Sequence, residues 1–323
     1  MEAVTAAQIR LRDELFAWDA PRPIAEPGLA EELRNALEDG ARAALARHGL
    51  LADGGARDDR DRYGKSLFVS KSRLDRLVCD GLYRGALEEK FRFNRPIAVG
   101  TLSHLAIQRD HDTRRALAPE ELVDAAWHEA STRPRDALAT YCNELNEYEA
   151  ASVRQEVEQH LTEHRDVWPQ LDSWAQPRFE QSVRAELVGG RVVLLGTPDL
   201  TLGRVRDATS RMLLVDLKTG MRRPAQERQE LRFYALLLTL KHRQPPYRWA
   251  SYYVAEGAWD VEDMTPEHLW SAVRRTIDGI DQAARLLPAD APETLQAGRW
   301  CRFCPRKDRC PEYLSQGEGT LSV

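Results

Sequence analysis

The sequence predicts an α/β fold, a mixed core of strands and helices that carries a helical insertion. Three observations support that expectation. Residues 28–50 and 226–243 place apolar side chains at the helical period. Between Pro177 and Gly220 the pattern shortens to strand-like runs, FEQSVRAELV, RVVLLGTPDLTL and RMLLVDLKTG, separated by turn residues. The 323 residues are 42% hydrophobic and 30% charged, the balance of a globular protein with one large or two modest domains.

Along the chain, GLAEELRNALEDGARAALARHGL (28–50) is helical and DGGARDDRDRYGK (53–65) is a polar linker, so residues 1–65 form an N-terminal helical region with its linker. The Ser/Asp-rich opening of SKSRLDRLVCDGLY predicts a helix starting after Ser70. AVGTLSHLAIQRD (98–110) is a glycine-punctuated turn running into another helix. Residues 119–168 are helical and polar, broken at Arg133-Pro134, and form most of an insertion at about 112–176. After the strands come QERQELRFYALLLTLKHR (226–243), with Leu231, Tyr234, Ala235 and Leu238 on one face, then a strand in RWASYYVAE (248–256) and a long helix over 266–287.

The net charge of −5 is concentrated in one place. Pro119 to Ser173 carries 13 Asp/Glu against 4 Lys/Arg, which leaves the remainder mildly basic and permits a nucleic-acid partner. The acidic segment is most simply a solvated helical face. No run of 18 apolar residues occurs, so no membrane span is expected. The opening MEAVTAAQIRLRDELFAWD lacks the basic start and apolar core of a signal peptide, so a cytoplasmic location is expected. Five cysteines in a reducing compartment favour metal ligation over disulfides.

Two acids close strand-like runs: Asp199 in GTPDL and Asp216 in LLVDLKTG. Alternation along a strand puts Asp216 and Lys218 on one face and Leu217 on the other. Two carboxylates and a lysine converging at a sheet edge suit metal-assisted phosphodiester hydrolysis, because hard oxygen ligands hold Mg²⁺ or Mn²⁺ and the ammonium adds a second positive contact. An Asp-x-Lys pair by itself is more commonly a surface ion pair.

In this setting GTPD ending at Asp199, VDLKTG with Asp216 and Lys218, and ELRFYA from Glu230 to Tyr234 resemble the PD-(D/E)XK nuclease superfamily in its RecB-like branch. GTLSH, from Gly100 to His104, is similar to that branch's Gly-x3-His turn. The resemblance implies a restriction-endonuclease-like core, a mixed sheet flanked by helices, over residues 66–323. It also implies that His104, Asp199, Asp216 and the Leu217 carbonyl hold the metal while Lys218 assists catalysis. Histidine beside two carboxylates is more natural for Mn²⁺, though either ion serves. One position departs from the family: its glutamine is Glu230 here, and Gln229, one residue earlier, is turned about 100° away on a helix. Glu230 either contacts DNA, reaches a second metal or alters substrate handling. Tyr234 stands where the family has its tyrosine.

Near the end lies CRFCPRKDRC, with Cys301, Cys304 and Cys310, and a fourth cysteine, Cys79, lies far upstream. Spacing leaves zinc and an iron–sulfur cluster open. The layout is similar to that of the AddB nuclease domain and of CRISPR-associated iron–sulfur nucleases, which implies a structural [4Fe–4S] cluster stapling the chain at 301–310. Cys142 has no evident partner and is expected to be a packed thiol. Arg299, Arg302, Arg306, Lys307 and Arg309 with Phe303 would form a cationic loop, and Arg222 and Arg223 would extend it along a phosphate backbone. The expected function is a metal-dependent DNA nuclease, an exonuclease on single-stranded or end-exposed DNA in repair, recombination or foreign-DNA processing, with room for a protein partner. A catalytically silent DNA-binding module and an RNA-directed nuclease are the alternatives these residues leave open.

Overall fold

The computed structural model of the chain describes residues 5–17, 21–22, 26–51, 66–171, 175–203 and 210–315. The linker expected at 53–65 lies outside the described residues. The mixed strand-and-helix core expected from the sequence is present, with strands in two sheets.

The N-terminal part contributes α1 (Ala6–Arg10) and α2 (Leu29–Arg47). Next come β1 (Leu67–Val69), α3 (Lys71–Arg76) and α4 (Asp80–Glu88). The sequence pattern suggested one helix after Ser70, and the Ser70 hydroxyl does cap it by accepting from Arg73 N–H at 3.4 Å. The helix stops at Arg76, however, and Cys79 is the extended residue that opens α4 (φ −149°, ψ 128°). That break sets the cysteine at the end of a helix rather than within one.

α5 (Arg95–Asp112) begins earlier than the glycine suggested. Asn94 caps it and Pro96 occupies its first turn, where a missing N–H does no harm. Gly100 is therefore helical, and its function is close approach: a Cβ there would lie 2.9 Å from Thr219 Oγ1. The polar stretch that follows forms three helices, α6 (Pro119–Thr132), α7 (Ala137–Glu144) and α8 (Glu147–Val167), with a second break at Leu145-Asn146 beyond the one expected at Arg133-Pro134. Their inner faces are apolar. Leu122, Val123, Ala126, Val153, Val157 and Leu161 pack in one core with Leu213, Val215 and Leu217 of the sheet, while most of the acids face outward.

The strands are β2 (Arg178–Phe179), β3 (Val183–Leu187), β4 (Val192–Gly196), β5 (Leu200–Leu202), β6 (Leu213–Lys218), β7 (Arg248–Tyr253) and β8 (Ala258–Asp263). RVVLLGTPDLTL is two strands, not one. β4 pairs with β3 and, in parallel, with β1, whereas β5 belongs to the sheet β2-β5-β6-β7-β8. Pro198 has no N–H to continue a ladder, and the chain changes sheets there. β6 and β7 run parallel, as required by the helical crossover α9 (Pro224–His242) between them. β8 was not foreseen; it returns antiparallel to β7 after a left-handed turn at Gly257.

α9 and α10 (Pro266–Arg285) cover the opposite side with α2, and this second core takes Leu214 and Trp249 from the strands. Side chains on β6 thus alternate: Leu213, Val215 and Leu217 enter the α5–α8 core, while Leu214, Asp216 and Lys218 face α9. The last short helix is α11 (Pro311–Ser315). Among the described residues no helix is long and apolar enough to cross a membrane.

Candidate active site

The site lies where β6 ends, between α5 and α9. Asp216 is 2% exposed, and its Oδ2 is 2.6 Å from Lys218 Nζ. Asp199 reaches the same strand from the turn between the sheets: its Oδ2 accepts Leu217 N–H at 2.7 Å. His104, on α5, has Nε2 3.0 Å from the Leu217 carbonyl. Its Nδ1 lies 3.4 Å from Glu180 Oε1 and 3.8 Å from Asp199 Oδ1. Among the described residues, His104, Glu180 and Asp199 alone bring three such donor atoms within 4.8 Å of one another.

This arrangement answers whether a metal ion fits. With Nε2–H donated to the Leu217 carbonyl, His104 Nδ1 turns a lone pair toward two carboxylates. Such a geometry repels unless a proton or a cation lies between them. Without a metal the proton is favoured: burial works against the charge, but Asp199 and Glu180 outweigh it and raise the His104 pKa to about 9. One imidazole nitrogen and hard carboxylate oxygens are a donor set for Mn²⁺ or Mg²⁺. The Leu217 carbonyl keeps a second lone pair.

Glu180 was not singled out from the sequence. It follows the two-residue strand β2, sits in left-handed backbone (φ 46°), and its N–H donates to the Asp199 carbonyl at 3.0 Å. Non-glycine residues in that region are strained, by about 1–2 kcal/mol, and such strain gathers at functional sites.

Lys71 is a second addition. Its Nζ is 3.0 Å from Glu230 Oε2, 3.8 Å from Asp216 Oδ1 and 5.0 Å from the Tyr234 ring centroid. Lys218 Nζ is also 3.0 Å from Glu230 Oε2, so one carboxylate oxygen bridges two ammonium groups. Burial works against the charge on both lysines, but Asp216 and Glu230 outweigh it, and both pKa values rise above the ordinary lysine range. Burial also works against the Glu230 carboxylate, yet Lys218 and Lys71 hold its pKa below the usual. For Asp216 burial wins, followed by repulsion from Asp199, and its pKa rises to about 6 despite the lysines.

α9 presents Gln226, Glu230 and Tyr234 along one stripe at spacings of four residues. Gln226 Nε2 donates to Glu230 Oε1 at 3.3 Å, while Gln229 is exposed and turned away. The glutamine at this site is thus one turn upstream of Glu230. Burial pushes the Tyr234 phenol up to about 12, and the ring passes β4 where Gly196 has no side chain: a Cβ there would lie 2.6 Å from Tyr234 Cε1. Arg222 is 2.7 Å from Glu256 and lies over the Tyr253 ring at 4.2 Å. Arg223 is exposed, and its N–H donates to Glu227.

Away from this site, Cys79, Cys301, Cys304 and Cys310 line one cavity of about 440 Å³. The sulfurs already receive backbone donors: Gln296 N–H to Cys79 Sγ at 3.5 Å and Gly298 N–H to Cys301 Sγ at 3.3 Å. Asp80, beside Cys79 and buried, accepts from Thr294 N–H at 2.7 Å, Arg285 at 2.5 Å and Gln282 at 2.9 Å, which fixes α4 to the loop before the cysteines. Cys142 is buried in α7, and burial pushes its thiol up to about 11. Arg306 is tied to Glu88 and Glu293, whereas Arg302 is exposed over the Phe303 ring at 4.6 Å, far along the chain from the acidic residues.

A mixed sheet that brings two aspartates, a histidine and a lysine together at a strand end defines a protein equipped for metal-assisted phosphodiester hydrolysis. The model of the PD-(D/E)XK nuclease superfamily matches residues 80–311, and the chain belongs to that superfamily. Its members are typically phosphodiester-hydrolysing nucleases that use divalent metals such as Mg²⁺ or Mn²⁺. Lys71 lies ahead of the matched region. A solved structure described as "Crystal structure of SSO0001" is similar at 11% identity and a TM-score of 0.32, covering 87% of this chain and 96% of that one. No curated protein matches.

Proposed function

We propose that the chain is a RecB-like, metal-dependent DNA nuclease that acts on single-stranded or end-exposed DNA in repair, recombination or foreign-DNA processing. The observation that supports it most is the His104–Glu180–Asp199 donor set lying beside Asp216 and a charged Lys218. His104, Asp199, Glu180 and Asp216 would hold a divalent ion, which when bound would supply an activated water and neutralise charge on the phosphate.

The remaining work falls to the side chains. Lys218 is protonated at neutral pH, so it serves as an electrostatic contact for the phosphate and not as the base. Asp216 and Glu230 hold its Nζ in place from two sides. Leu217 N–H fixes Asp199, and the Leu217 carbonyl fixes His104, so a single strand residue sets the direction of both. Tyr234 stays protonated and covers the Lys71 ammonium.

The four-cysteine cavity is assigned a structural [4Fe–4S] cluster. Four cysteines lining one cavity and backbone N–H groups aimed at two of their sulfurs support that reading. Five unpaired cysteines suit a cytoplasmic setting.

Cleavage of end-labelled DNA tests the nuclease. The wild type cuts with Mn²⁺ or Mg²⁺ and stops with a chelator, and Asp216→Ala is inactive. A wild-type protein that binds DNA and leaves it intact under every metal would leave a scaffold of nuclease fold.

A further inference from the structure

Between α4 and α5 runs a segment that the site above does not use. Residues 89–94, EKFRFN, alternate cations with aromatic rings, and almost all of them are exposed. Phe93 is partly buried against the α5–α8 core. Phe91 leans edge-on against it, with centroids 4.9 Å apart and planes at 79°, and remains 54% exposed. Lys90 and Arg92 have no ion-pair partner among the described residues, which sets them apart from Arg95, held by Glu156 at 2.7 Å.

The position of this segment links two features already described. At one end, Glu88 is paired with Arg306 and lies 3.8 Å from Arg309, so the segment starts against the cysteine loop and the loop's cations neutralise the preceding acid. Phe303, on that loop, is 60% exposed beside Arg302. At the other end it enters α5, where Ile97, Thr101 and His104 share one face. Ile97 and Thr101 are exposed, and seven residues of helix place Ile97 about 10 Å from His104 along the axis. Exposed aromatic, cationic and small side chains therefore follow one another along the chain from the residue paired with the cysteine loop to the helix that carries His104.

We infer that Lys90, Phe91 and Arg92 form a stacking platform for single-stranded DNA that leads the strand to the active site. Phe91 offers a π-face to a base, and Lys90 and Arg92 take the flanking phosphates. A duplex keeps its bases stacked on each other and has none to give to Phe91, so the platform selects unpaired strand. This rests on the nuclease reading and specifies its substrate.

The test uses the full chain carrying Asp216→Asn, so that bound DNA is not cut, and measures the binding of fluorescein-labelled oligothymidylate and of a blunt duplex by anisotropy. Phe91→Ala is expected to weaken oligothymidylate binding by roughly ten-fold or more, the size of one lost base–aromatic stack. Phe91→Trp restores binding, and duplex binding changes little. Replacing both Lys90 and Arg92 by alanine is expected to reduce the slope of log affinity against log salt by about 1.4, at about 0.7 per phosphate contact. These residues are exposed, so the variants fold. Unchanged affinity and slope in both variants overturn the platform. A parent protein that binds duplex only overturns it while leaving the nuclease reading standing. A parent that binds neither strand form defeats both.

Discussion

Glu230 Oε2 lies 3.0 Å from Lys71 Nζ and 3.0 Å from Lys218 Nζ. One carboxylate thus bridges two ammonium groups, and one of those, Lys71, comes from outside the matched region. Asp199, Asp216 and Glu230 face Lys71, Lys218 and a protonated His104, so the buried charges come near to cancelling.

Lys71→Met is expected to lower the cleavage rate by about two orders of magnitude, the usual loss when one preorganised electrostatic contact is removed. Lys71→Arg keeps the charge and recovers part of the rate. Single-turnover kinetics on both variants check this; a Lys71→Met enzyme as fast as the wild type removes Lys71 from the site.

If His104 ligates the metal as proposed, metal affinity is expected to depend on pH through it. Its pKa of about 9 means an ion must displace a proton at neutral pH, so apparent Mn²⁺ affinity rises about ten-fold per pH unit from about pH 6 toward 9. Below about pH 6, where Asp216 also takes up a proton, the dependence steepens. Calorimetric Mn²⁺ titrations across that range measure it, and an affinity independent of pH contradicts the assignment of His104 as a ligand.

Glu180 holds left-handed backbone with its carboxylate beside His104. Glu180→Gly is expected to leave the fold as stable or more so, because glycine accepts the left-handed backbone, and to weaken Mn²⁺ binding by about ten- to a hundred-fold. Thermal melts and metal titrations on one preparation separate the two effects. A variant that loses stability and keeps its metal affinity reverses the roles.

The histidines on the far face of the sheet are expected to make the protein acid-sensitive. His111 Nε2 and His164 Nε2 are 3.0 Å apart and buried. Burial first, then Arg115 and Arg165, pulls His111 down to about 3; burial and His111 pull His164 well below the usual range. Both are neutral when folded, so their contribution to stability is whole above about pH 6.5 and is lost as pH falls toward 3, by up to about 1.4 kcal/mol per pH unit for each. Urea midpoints at pH values above and below 6.5 should fall more for the wild type than for His111→Gln. Equal falls would show that His111 does not titrate in this way.

The layers of the fold were largely legible because hydrophobic period is a local property. The apolar stripes of 28–50, 226–243 and 266–287 became α2, α9 and α10, and the alternation around Asp216 and Lys218 placed both on one face. Changes of direction were less legible. Gly100 looks like a turn, but it is helical because Asn94 caps the helix earlier, and its missing side chain makes room for Thr219. The site divides the same way. Asp199, Asp216, Lys218 and His104 sit in short motifs, whereas Glu180 and Lys71 arrive through tertiary packing. Lys71 did leave one local trace: a cation at the first position of a helix opposes the helix dipole, and α3 has no acid in its first turn to compensate. The spacing of Gln226, Glu230 and Tyr234 was available in the sequence and would have located the glutamine that Gln229 cannot supply.

In the proposed mechanism Lys218 acts on phosphate beside a metal that His104, Asp199, Glu180 and Asp216 would hold. The most direct measurement pairs Mn²⁺ affinity with single-turnover cleavage of labelled single-stranded DNA in the wild type and in Lys218→Met. The expected result is similar Mn²⁺ affinity in both proteins, with cleavage at least about a hundred-fold slower in the variant. Cleavage at the wild-type rate in Lys218→Met, or none in a metal-loaded wild type, would contradict it.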